Sequence, residues 1–443
     1  MAGLPEGALM QRAATGLAVA VAQRLGRVYG ARVVLLVGGG DNGADALWAG
    51  AMLARRGAQV VALLVAEPRG GALAALRAAG GRAVDALPTE GLVVDGLVGI
   101  GGKGPLRHAE LAAQVRGREV VAVDLPSGVD ADTGAVAGAA VRADLTVTFG
   151  TLKPGLLLAR EQVGRLHLVD LGLDLPPAPV EALDAQAVQQ LLPRARAGDD
   201  KYSRGVLGVV AGSQQYTGAA VLSVGAGVRA GAGMVRFPGA PHAADQVRAH
   251  WPEAVVSHHR GAEVVNAGRV QAWVVGPGLG TDETAAAAVR AVLAQDVPVL
   301  VDADALTIAA RHQEWLRDRS APTLLTPHDR EFARFGADVT ADRVGSARRL
   351  AQELGVHVLL KGDATVVVGP EGPARINTTG SPALATAGSG DVLSGATGAL
   401  LAQGLDPLDA GSLGAHLHGL AGQRAQGSGA SAVLQGWPAR LQG

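Results

Sequence analysis

Cysteine is absent from the 443 residues of the chain. That absence excludes disulfides and thiolate metal sites and fits a cytoplasmic protein. Charge of one sign is equally scarce: 39 Lys and Arg against 40 Asp and Glu leave a formal net charge of −1. Aromatic residues make up only 3% of the chain. No basic face with interleaved aromatics occurs, so no nucleic-acid partner is expected. No uninterrupted apolar run reaches the ~20 residues that a membrane span needs, so no membrane partner is expected either. The opening stretch "MAGLPEGALMQRAATGLAVAVAQRLG" lacks the basic start of a secretory signal, and Gln23 and Arg24 cut its apolar run short. It reads as an amphipathic first helix. Also missing is the pattern GxxxxGK followed by Ser or Thr, which excludes a P-loop enzyme.

What the chain does have is apolar bulk and glycine: 48% hydrophobic residues, 18% charged and 64 glycines. The length allows roughly two or three domains. In the first half "ARVVLLVGGG", "AQVVALLVA", "GLVVDGLVG", "REVVAVDLPSG" and "ADLTVTFG" alternate with alanine-rich helical stretches such as "GADALWAGAMLARRG". Continuous rather than alternating hydrophobicity marks strands covered on both faces, hence mainly parallel sheets wrapped in helices. The proline-rich "LGLDLPPAPVEALD" (Leu171–Asp184) breaks the rhythm. The expected organisation is a domain over 1–175, a connection over 176–190 and a second domain over 191–443. In the second half the strands are "GVLGVVAG", "QAWVVGPG", "PVLVDADAL", "APTLLTP", "VHVLLKG" and "ATVVVGP". Ligands of open α/β sheets sit beyond the carboxyl ends of the strands, so the polar residues there are the first site candidates.

Near the end, "ATAGSGDVLSGATGALLAQG" places Gly388-Ser389-Gly390-Asp391 ahead of a helical, apolar run. Unpaired amides and the positive end of a helix dipole make an anion site, with a carboxylate beside it. Asp391 reads either as the N-cap of that helix or as a base that accepts the proton of an attacking hydroxyl. The other strand-end groups are Gly276 to Gly280, Asp302 and Asp304, Thr326 to His328 with Glu331, and Lys361 to Thr365. This inventory suits phosphoryl transfer, which depends on positioning and charge stabilisation. Lys361 or its neighbouring backbone could hold nucleotide phosphates, and Glu331 could orient hydrated Mg²⁺. Asp302 and Asp304 could equally be helix caps or strand-end hydrogen bonders. His416 and His418, two apart on a helix, fall on different faces and read as structural. The tail "RAQGSGASAVLQGWPARLQG" reads as a loop and a final amphipathic segment, with Trp437 packing.

"AGSGD" resembles the anion-hole and base motif of ribokinase-fold kinases. The fuller set is "DKYSRG", "AGSQQYTGAAVLSVGAGVRAGAGMV", "GPGLG", "TPHDREF", "KGDAT" and "NTTGSPALATAGSGDVLSG". It covers residues 190–443 and resembles the ADP-dependent NAD(P)H-hydrate dehydratases, with Asp200 standing where the family has a histidine before Lys201. The resemblance implies a ribokinase-like α/β domain that phosphorylates the ring hydroxyl of the S-hydrate of NADH or NADPH with ADP and Mg²⁺. Loss of phosphate then restores the dihydronicotinamide. It implies Asp391 as base, Gly390 with Lys361, Gly362, Asp363, Ala364 and Thr365 at the nucleotide, and Ala219, Gly278 and His328 at the hydrate. A ribokinase-like kinase of a small molecule or vitamin precursor is the alternative.

In the first half "VGGGDNGADAL" follows a strand and opens a helix, a weak signal alone. With "VVDGLVGIGGKGPLR", "VVAVDLPSGVDADTG" and "TVTFGTLKPG" (holding Lys153) it resembles the NAD(P)H-hydrate epimerases over about residues 5–172. The resemblance implies a Rossmann-like three-layer αβα domain that interconverts the R and S hydrates. Substrate contacts fall at Asp41, Asn42, Gly43, Ala44 and Asp45, at Gly99, Ile100, Gly101, Gly102, Lys103, Gly104 and Pro105, and at Asp124 as acid/base. K⁺ falls at Asn42, Asp95 and Ser127. The family's loop is close to Asn-Asn-Gly-Gly-Asp-Gly, and this chain has Asp41, Ala44 and Ala46 instead. Asp41 adds negative charge near a phosphate-bearing ligand, and the two methyls fall where the backbone could need open conformations. Gln11 stands where the family has glutamate. A first domain that binds without catalysing is therefore the alternative there. A homo-oligomer is expected.

Overall fold

A computed structural model of the chain describes residues 7–438. The first six residues of the expected first helix segment and the last five of the tail lie outside the described residues. The chain divides into two compact units, one ending at Pro177 and the other beginning at Ala178.

The first unit is built on seven strands: β1 (Arg32–Val37), β2 (Gln59–Leu64), β3 (Arg82–Val84), β4 (Leu92–Gly96), β5 (Val120–Val123), β6 (Leu145–Phe149) and β7 (Arg165–Val169). They lie in the order β3-β2-β1-β4-β5-β6-β7, and every pairing is parallel. Side chains alternate between two apolar layers, as the period of two requires. Val33, Leu35 and Val37 of β1, with Val121 and Val123 of β5, meet Leu17, Val21, Leu47 and Leu53 of the helices Ala8–Leu25 and Asp41–Arg55. Leu36, Val93, Val120 and Ala122 face the opposite layer with Leu111 and Val115. Each fully buried Leu or Val contributes ~1.5–3 kcal/mol over leaving it exposed. The result is a three-layer αβα sandwich.

The second unit holds β8 (Val180–Glu181), β9 (Val206–Val210), β10 (Met234–Gly239), β11 (Val255–His258), β12 (Ala272–Val275), β13 (Val299–Val301), β14 (Thr323–Leu325), β15 (His357–Leu360), β16 (Val366–Val368) and β17 (Ala374–Ile376). Their order is β11-β10-β9-β12-β13-β14-β15-β16-β17-β8. The sheet is parallel from β11 to β15, antiparallel through β16 and β17, and parallel again where β17 meets β8. The residues expected as a connection, 176–190, thus contain an edge strand of the second sheet and most of the helix Ala185–Leu191. The helix Ser389–Ala402 is apolar nearly all round and is buried from Val392 to Ala402. A helix of that pattern belongs inside a core, and its Val392, Ala396 and Leu400 share one cluster with Leu207, Val209 and Val274.

Chain order reverses between β1 and β4 in the first sheet and between β9 and β12 in the second, whose far edge is β8 beyond β17. Such switch points open a crevice at the carboxyl ends of the strands. No helix among the described residues is long and apolar enough to cross a membrane.

Candidate active sites

In the first unit β1 runs through Gly38, Gly39 and Gly40 into the helix Asp41–Arg55. A Cβ at Gly43 would collide with the Gly38 carbonyl, so the helix start lies close against the strand end. The Gly38 amide donates to Gly96 at the end of β4 (3.0 Å). Asn42 Nδ2 donates to the carbonyls of Val123 (2.5 Å) and Val98 (3.3 Å). Gly99 lies beside it, where a Cβ would approach the Asn42 amide to 2.6 Å. Asp95 is fully buried and accepts from the Ser127 amide (2.8 Å), the Ser127 hydroxyl (2.7 Å) and the Leu97 amide (3.3 Å). Burial pushes its carboxyl above the usual range against those three bonds. All three partners are neutral, so the carboxylate's charge is met by dipoles alone.

Asp124 follows β5 with φ of 65°, a left-handed conformation rare for a residue with a Cβ. Its Oδ1 accepts from Lys153 Nζ (2.5 Å) and the Thr148 hydroxyl (2.9 Å). The Lys153 ammonium also donates to Thr148 Oγ1 (2.9 Å) and the Phe149 carbonyl (3.1 Å). Asp45 is buried, and its Oδ1 has no hydrogen-bond partner. Burial, with repulsion from Asp41 and Asp124, pushes its carboxyl up to about 7. The two carboxyl groups therefore sit in opposite settings, Asp124 against a cation and Asp45 against other carboxylates.

The two loop methyls meet no conformational obstacle. Ala44 and Ala46 are fully buried within regular helix, and their methyls pack in the core. Neither position has the positive φ that would call for glycine. Asp41 is exposed, its carboxylate 3.7 Å from the equally exposed Arg69 guanidinium. Gly101, Gly102, Lys103, Gly104 and Pro105 line a cavity of about 560 Å³ together with Gly38 and Gly39. Ile100 is exposed, and the Lys103 ammonium lies 3.9 Å from Asp132 at the surface.

In the second unit the four polar strand ends belong to β12, β13, β14 and β15, which are consecutive neighbours. Asp302 follows β13 and is buried. Its Oδ1 accepts from Lys361 Nζ (2.8 Å), at the end of β15, and its Oδ2 from the Ser394 hydroxyl (2.6 Å). Burial opposes its charge, but Lys361, Ser394 and Thr326 together hold it below the usual carboxylate range. Burial likewise opposes the Lys361 ammonium, and Asp302 and Glu331 outweigh that and raise it. Glu331 Oε2 lies 3.5 Å from Lys361 Nζ.

Gly388, with φ of 84°, is the N-cap of the helix Ser389–Ala402. Asp391 is thus not the cap but lies within the first turn. Its carboxyl is pushed up to about 7 by burial and by Asp302 and Asp304, against the pull of Lys361. Gly390 closes over the ion pair: a Cβ there would stand 3.8 Å from Lys361 Nζ and 4.0 Å from Asp302 Oδ2. Gly278 packs beside Ala219, where a Cβ would come within 2.8 Å of the Ala219 methyl. Asp304 accepts the Gly280 amide (2.8 Å), tying the end of β12 to the end of β13.

His328 is itself a helix cap. Its Nδ1 accepts the amides of Arg330 (3.1 Å) and Glu331 (3.2 Å), and Glu331 Oε2 accepts the His328 amide (2.9 Å). This reciprocal capping box uses Nδ1 as an acceptor and places Nε2 3.5 Å from Glu331 Oε2. After Lys361, Gly362 and Asp363 are exposed, Ala364 is buried, and the Thr365 hydroxyl donates to the Gly362 carbonyl (3.4 Å). Asp200 closes a turn, accepting the amides of Tyr202 (2.7 Å) and Ser203 (2.9 Å). His418 is buried beneath the Gly388–Asp391 turn; burial lowers its pKa to about 4, against a hydrogen bond to the Ser389 backbone. Ser394 and Thr148 escaped the sequence reading. Ser394 lies one helical turn after Asp391, and that i+3 spacing was the available signal.

The sequence description of the NAD(P)H-hydrate dehydratase family matches residues 207–435, and that of the YjeF-related protein N-terminus matches residues 6–155. The chain is 54% identical over 417 residues to the bifunctional NAD(P)H-hydrate repair enzyme Nnr of Mycobacterium tuberculosis, covering 91% of this chain and 86% of that protein. It is 38% identical to the Corynebacterium glutamicum protein of the same name, covering 84% of this chain and 78% of that one. Among solved structures it resembles the ADP/ATP-dependent NAD(P)H-hydrate dehydratase of Bacillus subtilis co-crystallised with ATP and Mg²⁺. That similarity has a TM-score of 0.51 and 28% identity, over 57% of this chain and 95% of that one. A ribokinase-like protein of Enterococcus faecalis gives a TM-score of 0.53 at 25% identity, over 60% of this chain and 96% of that one.

Proposed function

The chain belongs to the family of bifunctional NAD(P)H-hydrate repair enzymes, and from that membership we propose the reactions and the residues that carry them. The first unit interconverts the R and S hydrates of NADH and NADPH. The second dehydrates the S-hydrate with ADP as phosphoryl donor. The protein works in the cytoplasm as a homo-oligomer.

In the second unit the ring hydroxyl of the hydrate lies between Ala219, Gly278 and His328 and attacks the terminal phosphorus of ADP. Asp391 takes the hydroxyl proton, the new O–P bond forms, and AMP leaves. The ring carbon–oxygen bond then breaks, a neighbouring ring carbon gives up a proton, and phosphate departs, restoring the dihydronicotinamide. Phosphorylation turns a poor leaving group, hydroxide, into a good one. Gly390 and Lys361 stabilise the charge that develops on the transferring group, and the stretch from Lys361 to Thr365 holds the nucleotide. When bound, hydrated Mg²⁺ would supply charge neutralisation of the phosphates while needing few protein oxygens. Glu331, beside Lys361, is the carboxylate that would hold it through water.

In the first unit Asp124 is the acid/base, with Lys153 and Thr148 holding its carboxylate. Asn42, Asp95 and Ser127 would hold K⁺. The fit rests on Asp95, a fully buried carboxylate with only neutral partners, whose charge a monovalent cation would meet.

The observation that carries this reading is the placement of Asp391, a carboxyl with an affinity near neutrality, beside the Lys361 ammonium at a glycine-capped helix start. The test is recovery of absorbance near 340 nm from a mixture of R and S hydrates with ADP, Mg²⁺ and K⁺. Full nucleotide-dependent recovery is expected, and Asp391→Asn should slow it by at least ~10²-fold, the usual worth of a general base. A stable phosphoester in place of restored absorbance would favour a small-molecule kinase.

A further inference from the structure

The ion pair beneath the glycine turn does more than the family's motifs require of it. We propose that Asp302 is a positioning residue of the dehydratase site: its buried carboxylate fixes the Lys361 ammonium under the Gly388–Asp391 turn and governs how readily Asp391 takes a proton. The inference rests on the reading of Asp391 as the base.

Three observations carry it. Asp302 is a junction, joining the end of β13 to the end of β15 through Lys361 (2.8 Å) and to the Asp391 helix through Ser394 (2.6 Å). Ser394 is buried on the same helix, one turn after Asp391, so the bond that orients Asp302 also fixes the helix carrying the base. Gly390 stands within 4.0 Å of both members of the pair, measured from where its Cβ would be. The ammonium is therefore presented to the anion site rather than buried away from it.

A lysine in a site that receives a phosphoryl group needs its charge kept and its position fixed. Asp302 does both, because an acceptor on a strand end has little freedom. The backbone after it is constrained as well, with Ala303 at φ 51°. Its second consequence is electrostatic. A carboxylate near another carboxyl disfavours ionisation of the second. Asp302 and Asp304 act on Asp391 from β13 and the helix that follows it, Lys361 acts oppositely from β15, and His418 lies below the turn. Glu331 acts through its contact with Lys361. Of the two carboxylates facing Asp391, Asp302 has the stronger influence. An unperturbed carboxylate would be a feeble base toward a hydroxyl, and one near 7 is matched to the task.

The experiment is the pH dependence of kcat/KM for dehydration of the purified S-hydrate by the full chain. Wild type should lose activity as pH falls below about 7, the affinity of Asp391. In Asp302→Asn, which keeps shape and removes charge, the acid limb should move down by roughly one pH unit, while kcat falls as Lys361 loses its anchor. A residue of merely structural importance would lower activity and leave the limb in place. If Asp302→Asn does not fold by circular dichroism, Ser394→Ala carries the test. Loss of that hydroxyl leaves the Asp302 charge less compensated, so the limb should move up. An unmoved limb in the folded variant overturns the inference. Asp391→Asn separates the two readings. If it retains activity, the reading of the base has failed. If it is inactive while the Asp302→Asn limb stays put, only the role of Asp302 has.

Discussion

A single buried oxygen, Asp45 Oδ1, sets an unusual balance in the first unit, because nothing donates to it. With the folded carboxyl at about 7 against an ordinary 3.8, its proton is held more tightly in the fold than in the unfolded chain. The sign is then fixed. As pH rises from about 4 to 7 the unfolded state ionises while the folded state cannot, and stability is lost. Asp45→Asn should remove that loss, stabilising the first unit at pH 8 by ~2–4 kcal/mol and not at pH 4. Melting temperatures at the two pH values check it, and equal gains at both would contradict it. At this scale the sequence was legible where function lies in contiguous residues. Gly388 to Asp391 could be read directly because helix start, anion site and carboxylate are adjacent. The Asp302 junction could not, since its partners stand 59 and 92 residues further along the chain. Only a sheet brings such positions together.

At the scale of elements, most buried strands were legible, and the edge strands β7 and β8 and the inner strand β10 were not. Strands β1, β4, β5, β9 and β12 to β15 announce themselves as apolar runs because both faces are covered. β7 is exposed along most of its length, β10 contains Arg236 and Pro238, and β8 is two residues long, so none leaves such a run. Helix packing adds a constraint that composition hides. The helix Ser389–Ala402 approaches the helix Thr217–Arg229 so closely that a Cβ at Gly395 would collide with the Ser223 carbonyl. Backbone cannot yield as a side-chain tip does, and overpacking of this kind costs about 1–3 kcal/mol. Gly395→Ala should therefore lower the temperature at which dehydratase activity is lost, with epimerase activity unchanged in the same preparation. Equal thermal loss of both activities would count against it.

Taken whole, the chain joins two units, each with its own sheet, core and crevice. Asp124→Asn should consequently leave dehydration of the S-hydrate at its wild-type rate while changing the course of recovery from a mixture. A fast phase proportional to the S fraction should end, and the remainder should follow at the rate of spontaneous epimerisation. Single-phase recovery in the variant would mean that Asp124 is not the acid/base. The start of the second unit holds one more consequence. β8 is made immediately after the first unit, yet its neighbour is β17, and Glu181 meets Arg375 across 194 residues of sequence. During synthesis at ~5–20 residues per second, β8 must therefore wait roughly ten to forty seconds with its edge open while its partner is still being translated. The first unit has that interval to fold alone. The last edge of the second sheet closes only once β17 has emerged, and the core closes later still, when the helix Ser389–Ala402 and those after it follow, so a slow or stalled ribosome in this stretch would expose an unpaired strand edge together with an unfinished core.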